Sequence, residues 1–429
     1  MKAEDHALLR STTRGTPMGS LLRQYWVPVA LSEEVKEPAG PPIRVEVLGE
    51  IFIAFRGGNG KVGLVGEHCA HRGASLYYGR VEEDGIRCAY HGWKYCPTGA
   101  CLDIPNEPRG STFKNQIRQP AFPCEERGGV IFAFLGEGKP PAMPALEFLT
   151  VPSAQVYVSK REQECHWTQG MEGDIDPSHV PFLHASILGK GNKTEKDAKN
   201  ALQATTAGDT TPKIEYSSTD FGILYASRRN AGEHEYYYRV AQWLMPWYTT
   251  IPGWSGDGPL AAHAWVPVND KECMVYAWTW HPERDLTQAD LAFMKERNDG
   301  VYSELAPGTF KPKRNKANNY TNPGETPDPY PYLRLQHFQD QDVAITESMG
   351  NLYDRTKENL AAGDTMIVQT RHRLITAARK LAEGSQPNYE ADSYAVRPLS
   401  VRLAKDEPNW QQAVAKNIKA GPGTFIPSA

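Results

Sequence analysis

The sequence has no long apolar run. A membrane-crossing helix needs roughly 18 consecutive apolar residues, and the strongest apolar stretch is Val130 to Leu135, so no membrane association is expected. The first residues, MKAEDHALLR, are charged and offer no apolar leader. No secretory signal is therefore expected, and the chain reads as cytoplasmic. An excess of one charge is also missing: 47 Lys and Arg stand against 51 Asp and Glu, a net charge of −4. That balance excludes a broadly basic nucleic-acid surface. Cysteine is scarce and odd in number, seven in 429 residues, which argues against a disulfide framework. There is no internal repeat and no low-complexity tract.

What is present is an ordinary globular composition, 40% hydrophobic, on a chain long enough for two or three domains at about 150 residues each. From Trp26 to Leu135 the texture is that of strands, in Arg44 to Leu48, Ile51 to Phe55 and Val130 to Leu135, with turns such as Gly57-Gly-Asn-Gly60 between them. The Pro-rich patch from Lys139 to Pro144 reads as a boundary. The expected division is a β-rich domain over 27–140 and a second domain made of 1–26 with 141–429. In the second, strands are expected at 154–158, 236–244 and 272–280. A partly helical segment is expected at 164–187, interrupted by Pro177 and Pro181. A polar loop over 190–211, a helix over 287–305 and an irregular stretch over 311–333 follow the same reading. Asp364 reads as an N-cap, with Ile367, Leu374, Ala378 and Leu381 on one helical face and Gly384 at the C′ position.

Two ligand constellations stand out. The first is Cys69-Ala-His71, followed by Cys88-Ala-Tyr-His91. Two thiolates and two imidazoles make a complete four-ligand set, and each pair falls in a loop. A structural zinc site is one reading, although common zinc fingers pair Cys with Cys and His with His. A [2Fe–2S] centre with two Cys on one iron and two His on the other is the alternative. The pattern, extended by His91-Gly-Trp-Lys-Tyr95, resembles the Rieske family. Respiratory Rieske proteins add a disulfide beside the cluster, but the matching positions here are Ala74 and Tyr90. Trp93 stands where a serine usually reaches a cluster sulfur. The resemblance therefore implies a low-potential cluster at Cys69, His71, Cys88 and His91, and leaves Cys96, Cys101, Cys124, Cys165 and Cys273 as ordinary thiols.

The second constellation is Asp176-Pro-Ser-His179-Val-Pro-Phe-Leu-His184. Five residues on an ideal helix span about 500°, leaving the imidazoles about 140° apart around the axis. Only a distorted turn would bring them together, and the pair is a weak signal by itself. It resembles the mononuclear-iron motif of Rieske oxygenases, Asp-x2-His-x4-His. Two imidazoles and one carboxylate form the facial triad of non-haem Fe(II) enzymes. In that family the carboxylate opens a late helix and precedes a Glu by five residues. Asp342 with Glu347 fits this spacing, and Asp340 is the alternative. The resemblance gives Asp176 a separate task, as a bridge from His179 to the cluster histidine His91 of a neighbouring subunit in a trimer.

Further matches in Thr16-Pro-Met-Gly, Trp243-Leu-Met-Pro-Trp-Tyr, Pro312-Lys-Arg-Asn-Lys and Gln341 to Gly350 look like the phthalate dioxygenase-type branch. That resemblance implies an α+β architecture, with an all-β Rieske domain followed by a helix-grip catalytic domain. It also implies a [2Fe–2S] cluster, mononuclear Fe(II) and O2 as co-substrate, in a homotrimer or paired trimers. Electrons would come from NAD(P)H through a reductase with flavin and a plant-type ferredoxin domain. The expected activity is hydroxylation of a carboxylated aromatic, by ring cis-dihydroxylation or monohydroxylation. Aromatic O-demethylation is the alternative, and a pure Rieske electron carrier a remote one. Arg228, Arg229 and Arg239 are the candidate cations for the substrate's acid group. His166 is read as a packed core residue, and the aromatic strand from Trp243 to Trp254 as sheet core.

Overall fold

The computed structural model describes residues 1–185, 205–206, 208–253, 258–297, 303–321, 335, 337–387 and 389–421. It divides into two compact units, Thr12–Pro141 and Met1–Ser11 with Ala142–Ala429.

The first unit carries eleven short strands among its described residues. They are β1 (Trp26–Leu31), β2 (Ile43–Val47), β3 (Glu50–Arg56), β4 (Val62–Gly66), β5 (Arg80–Glu82), β6 (Gly85–Arg87), β7 (Lys94–Tyr95), β8 (Cys101–Asp103), β9 (Ala121–Phe122), β10 (Cys124–Arg127) and β11 (Val130–Phe134). They form three antiparallel sheets, ordered β1-β11-β10, β2-β3-β4-β9 and β5-β6-β7-β8. Ile53, Phe55, Val65, Leu76, Ile86 and Tyr95 pack one core together with Cys69 and Cys88. The boundary expected after Trp26 falls instead after Ser11. Arg23 is the physical reason. Its guanidinium is buried and donates to the carbonyls of Thr12, Gly19 and Leu48 and to Glu50, which ties residues 12–26 to the β2–β3 hairpin.

The second unit is built on one eight-stranded antiparallel sheet. Its strands are β12 (Val156–Gln163), β13 (Lys213–Ser218), β14 (Gly222–Asn230), β15 (Glu235–Leu244), β16 (Tyr248–Ile251), β17 (Leu260–Pro267), β18 (Cys273–Trp280) and β19 (Leu399–Ala404). The order is β12-β18-β17-β16-β15-β14-β13, with β19 also pairing β15. The helix Trp167–Asp174 lies against one face of this sheet. Trp243 donates to the sulfur of Met171. Gly170 is required because the Trp265 ring lies 2.2 Å from where its Cβ would stand. This is the expected α+β architecture.

The helix Thr365–Ala382 begins after Asp364, and Gly384 adopts φ +92° just beyond its end, as its sequence predicts, but the Asp364 carboxylate accepts from the Ala361 N–H and does not cap the helix. Of the helix expected over 287–305, Gln288–Arg297 is helical, and 298–302 lie outside the described residues. Leu305 instead bridges to Pro312 as an isolated strand pair. Most of the expected 190–211 loop, the end of the 311–333 stretch and Trp254 lie outside the described residues. Trp243 and Trp247 are fully buried sheet core.

Candidate metal centres

The four residues of the first constellation lie on two loops of the same design. One follows β4 and the other joins β6 to β7. In each loop the cysteine N–H donates to the carbonyl five residues on, Cys69 to Ala74 and Cys88 to Trp93. In each, the cysteine carbonyl accepts from a glycine four residues on, Gly73 and Gly92. Both glycines have positive φ, +74° and +75°, a conformation that side chains rarely adopt. The repeated turn points both thiols inward and leaves both imidazoles only half-buried. The His71 and His91 ring centroids are 4.5 Å apart, and His71 stacks on Trp93 at 4.3 Å.

Three residues that sequence reasoning left without a task hold these loops. Gln119 accepts from the Ala70 N–H at 2.9 Å and donates to the carbonyls of Gly66 and His68. Arg87 donates to the Gly92 carbonyl at 2.6 Å and is itself held by Glu82 and Asp103. Tyr95 places its hydroxyl 3.1 Å from Cys69 Sγ, so this ligand sulfur does have a hydrogen-bond partner. Trp93 donates to Asn106 instead. All seven cysteines are free. Two buried thiols in contact with each other, beside two adjacent imidazoles, fit a [2Fe–2S] cluster with mixed ligation.

The second constellation forms where the helix Trp167–Asp174 ends. Asp176 Oδ1 accepts from the N–H and hydroxyl of Ser178 at 2.7 and 2.6 Å, closing an Asx turn. A single helical turn, Val180–Leu183, follows, and His179 and His184 are its two caps. Pro181 was expected to break the hydrogen-bond ladder. It sits within the first turn, where a missing N–H costs nothing. Shortening the helix to one turn brings the imidazoles together, with centroids 5.2 Å apart.

Asp342 arrives from the helix Phe338–Ser348. Its Oδ1 lies 3.1 Å from His184 Nε2 and 3.5 Å from His179 Nε2. The three ligand atoms lie within 4.8 Å of one another. Gln341, the neighbour of Asp342, fixes the His184 tautomer. Its Oε1 accepts from His184 Nδ1 at 2.8 Å, and its Nε2 donates to the Leu335 carbonyl. His184 Nε2 is thus left as a buried lone pair with no hydrogen bond, which is what a metal ligand requires. Phe338 stacks on the same imidazole at 3.5 Å. Asp340 turns away and faces Arg314 at 3.6 Å. Glu347 accepts from the Tyr320 hydroxyl and the Glu164 N–H, a structural task. Asp176 Oδ2 lies 3.6 Å from His179 Nδ1, close enough for charge attraction but beyond hydrogen-bond length.

The triad opens on a cleft that Asp174, Tyr225, Ser227, Thr250 and Phe338 also line. Register explains which candidate arginines reach it. Ser227 pairs Arg239 across β14 and β15, and side chains alternate between faces. Arg229 and Arg239 therefore line the cleft. Arg228 points to the opposite face, where it pairs with Glu215 and covers the Tyr236 ring. Arg229 is fully engaged by protein acceptors, the carbonyls of Pro177 and Asp209 and the Ser227 hydroxyl. It braces the turn that carries Asp176 and His179. Arg239, the other candidate cation on the cleft, donates to the Pro252 carbonyl.

His166 caps the Trp167–Asp174 helix: its Nδ1 accepts from the Thr168 N–H. Burial lowers its pKa to about 3, so it is neutral when folded. The unfolded chain binds this proton from about pH 6.5 downward, so the stability is whole above that value and falls as the pH drops toward 3. Between pH 7 and pH 5 the loss is about 2 kcal/mol. Urea titrations at the two pH values should show this loss in the wild type and a clearly smaller one in His166→Asn, which keeps a capping side chain. Equal losses would show that His166 does not titrate on unfolding.

Residues 25–122 match the Rieske [2Fe-2S] domain model, and residues 133–419 match the model described as LigXa C-terminal domain like. The chain is 33% identical to the 3-chlorobenzoate-3,4-dioxygenase oxygenase subunit of Comamonas testosteroni, over 97% of this chain and 98% of that one. It is 32% identical to the phthalate 4,5-dioxygenase oxygenase subunit of Pseudomonas putida, over 89% and 87%. It is 27% identical to the 5,5'-dehydrodivanillate O-demethylase oxygenase subunit of a Sphingobium strain, over 90% and 82%. Among solved structures, the terminal oxygenase of carbazole 1,9a-dioxygenase from Nocardioides aromaticivorans shares the fold, with a TM-score of 0.58 at 18% identity over 85% of this chain and 97% of that one.

Proposed function

Because the chain belongs to the Rieske aromatic ring-hydroxylating oxygenases of the phthalate-type branch, we propose that it is the terminal oxygenase for a carboxylated aromatic, hydroxylating the ring with O2. The convergence of His179, His184 and Asp342 beside a cleft that His179 and Asp342 themselves line carries this reading. A pure electron carrier has no use for that cleft. Cys69, His71, Cys88 and His91 would hold the cluster, and His179, His184 and Asp342 the ferrous ion. Bound there, the cluster would supply single electrons and the ferrous ion would supply the reduction of O2.

The protein's own share is placement. Gln341 holds His184 in the ligating tautomer. Arg229 fixes the loop of His179. Phe338 covers the inner imidazole and keeps water from its face. Arg239 draws an aromatic carboxylate into the cleft so that the ring faces the triad. The oxygenase of carbazole 1,9a-dioxygenase, which shares the fold, forms a complex with a ferredoxin. For this chain we assign a flavin reductase with a plant-type ferredoxin domain, drawing on NAD(P)H in the cytoplasm. We also assign a cyclic trimer, single or paired, in which Asp176 links His179 to His91 of the neighbouring copy.

Turnover with reductase, NADH and ¹⁸O2 on benzoates, phthalates and methoxybenzoates tests the function. Labelled hydroxylated products support it. The O-demethylase relative favours a second reading, which formaldehyde release from methoxybenzoates would establish. No labelled product from any aromatic would refute both. Asp176→Asn should retain both metals yet slow turnover by about tenfold or more; turnover at the wild-type rate would rule out the bridge.

A further inference from the structure

The cleft also holds a carboxylate outside the metal triad. Asp174 closes the Trp167–Asp174 helix and lines the same cleft as His179 and Asp342. Its Oδ2 accepts three hydrogen bonds, from Thr249 Oγ1 at 2.6 Å, His263 Nδ1 at 2.7 Å and Trp265 Nε1 at 2.9 Å. Its backbone carbonyl accepts from the Tyr225 hydroxyl. No donor among the described residues reaches Oδ1. The side chain keeps 15% of its surface, and it borders the cleft.

Burial alone would raise this carboxyl, but His263 and the converging donors hold it below the ordinary aspartate range, so it is an anion. The donors come from β16 and β17 and fix the carboxylate's plane. An anionic oxygen held in a largely apolar wall favours a ligand that brings a hydrogen-bond donor. It disfavours a bare ring, which would displace water from Oδ1 without replacing its hydrogen bond, and it repels an ether oxygen or a second carboxylate.

We infer that Asp174 Oδ1 accepts a hydrogen bond from the substrate, so that the preferred substrate is an aromatic acid carrying a ring hydroxyl or amino group. This rests on the aromatic-acid reading above. Arg239 would take the acid group and Asp174 the donor, two points that orient the ring in front of the triad. Asp174 is thereby a specificity-determining residue.

Equilibrium binding to the iron-loaded protein tests this. The probes are benzoate, phthalate and the isomers of hydroxybenzoate, aminobenzoate and methoxybenzoate. In the wild type, one hydroxy or amino isomer should bind about tenfold or more tighter than benzoate, a gain that one charge-assisted hydrogen bond supplies, and the methoxy isomers should gain nothing. In Asp174→Asn the amide oxygen can keep the three protein donors while its NH2 turns to the cleft. The hydroxy advantage should then vanish and the methoxy isomer should gain. That reversal is not what a merely structural aspartate would give. Benzoate or phthalate binding with no advantage for any donor isomer in the wild type would overturn this inference alone, whether or not the variant folds. An advantage that persists in Asp174→Asn would overturn it too. If no aromatic acid binds at all, the aromatic-acid reading falls and this inference falls with it.

Discussion

Replacing His184 with alanine should lower iron from about three atoms per chain to about two, abolish oxygenation and leave the red-brown cluster absorption unchanged. The size of the effect follows from the geometry. His184 is fully buried, with Nδ1 committed to Gln341 and Nε2 facing Asp342. Without it, one imidazole and one carboxylate remain, too few for the facial triad. Asp342→Asn should give the same iron loss, while Asp340→Asn should keep three atoms, because Asp340 faces Arg314 instead. Iron analysis beside the visible spectrum separates the cases. Iron lost from the Asp340 variant alone would transfer the ligand assignment to that residue. An iron content that stays near three in His184→Ala would remove the triad altogether.

Arg371→Met should destabilise the second unit by about 3–5 kcal/mol, the typical cost of removing one partner from a buried ion pair. Arg371 grips Glu172 with two parallel bonds of 2.7 Å and reaches Glu358 with the same guanidinium. Glu172 sits in the middle of the Trp167–Asp174 helix, beside Arg355, which also binds Thr168. Burial would raise Glu172, but Arg355 and Arg371 hold it below the ordinary range. The variant therefore keeps a buried carboxylate with its stronger partner gone. Denaturant unfolding should show the loss, and Glu172→Gln combined with Arg371→Met should recover a substantial part of it. A loss under about 1 kcal/mol, as for an exposed pair, would show that water reaches this network.

The candidate ligands stand out in the sequence because their spacing is local and their chemistry unusual. Cys69 with His71, Cys88 with His91, and His179 with His184 each lie within one loop or turn. The late helix and its Gly384 were legible for a similar reason, since capping is written in a few adjacent residues. What the sequence hid is non-local. Gln341 meets His184 across 157 positions, and Asp174 meets Trp265 across 91. No local pattern marks such pairs. Asp174 lies beside the motif, in the segment read as partly helical, and was given no task. Arg228 and Arg229 looked equivalent until strand register put them on opposite faces. The first boundary was misplaced because Arg23 reaches forward to Leu48, a contact that composition does not record.

The Trp265 ring that fills the side-chain space of Gly170 has a further consequence. Helix and sheet are in contact there with no atom to spare. A relative with a larger residue at position 170 would need a smaller one at position 265, and such changes should occur as a pair. Adaptation to new aromatic compounds is then channelled into the side chains that project from β14, β15 and β16, where single substitutions reshape the cleft without prying the layers apart.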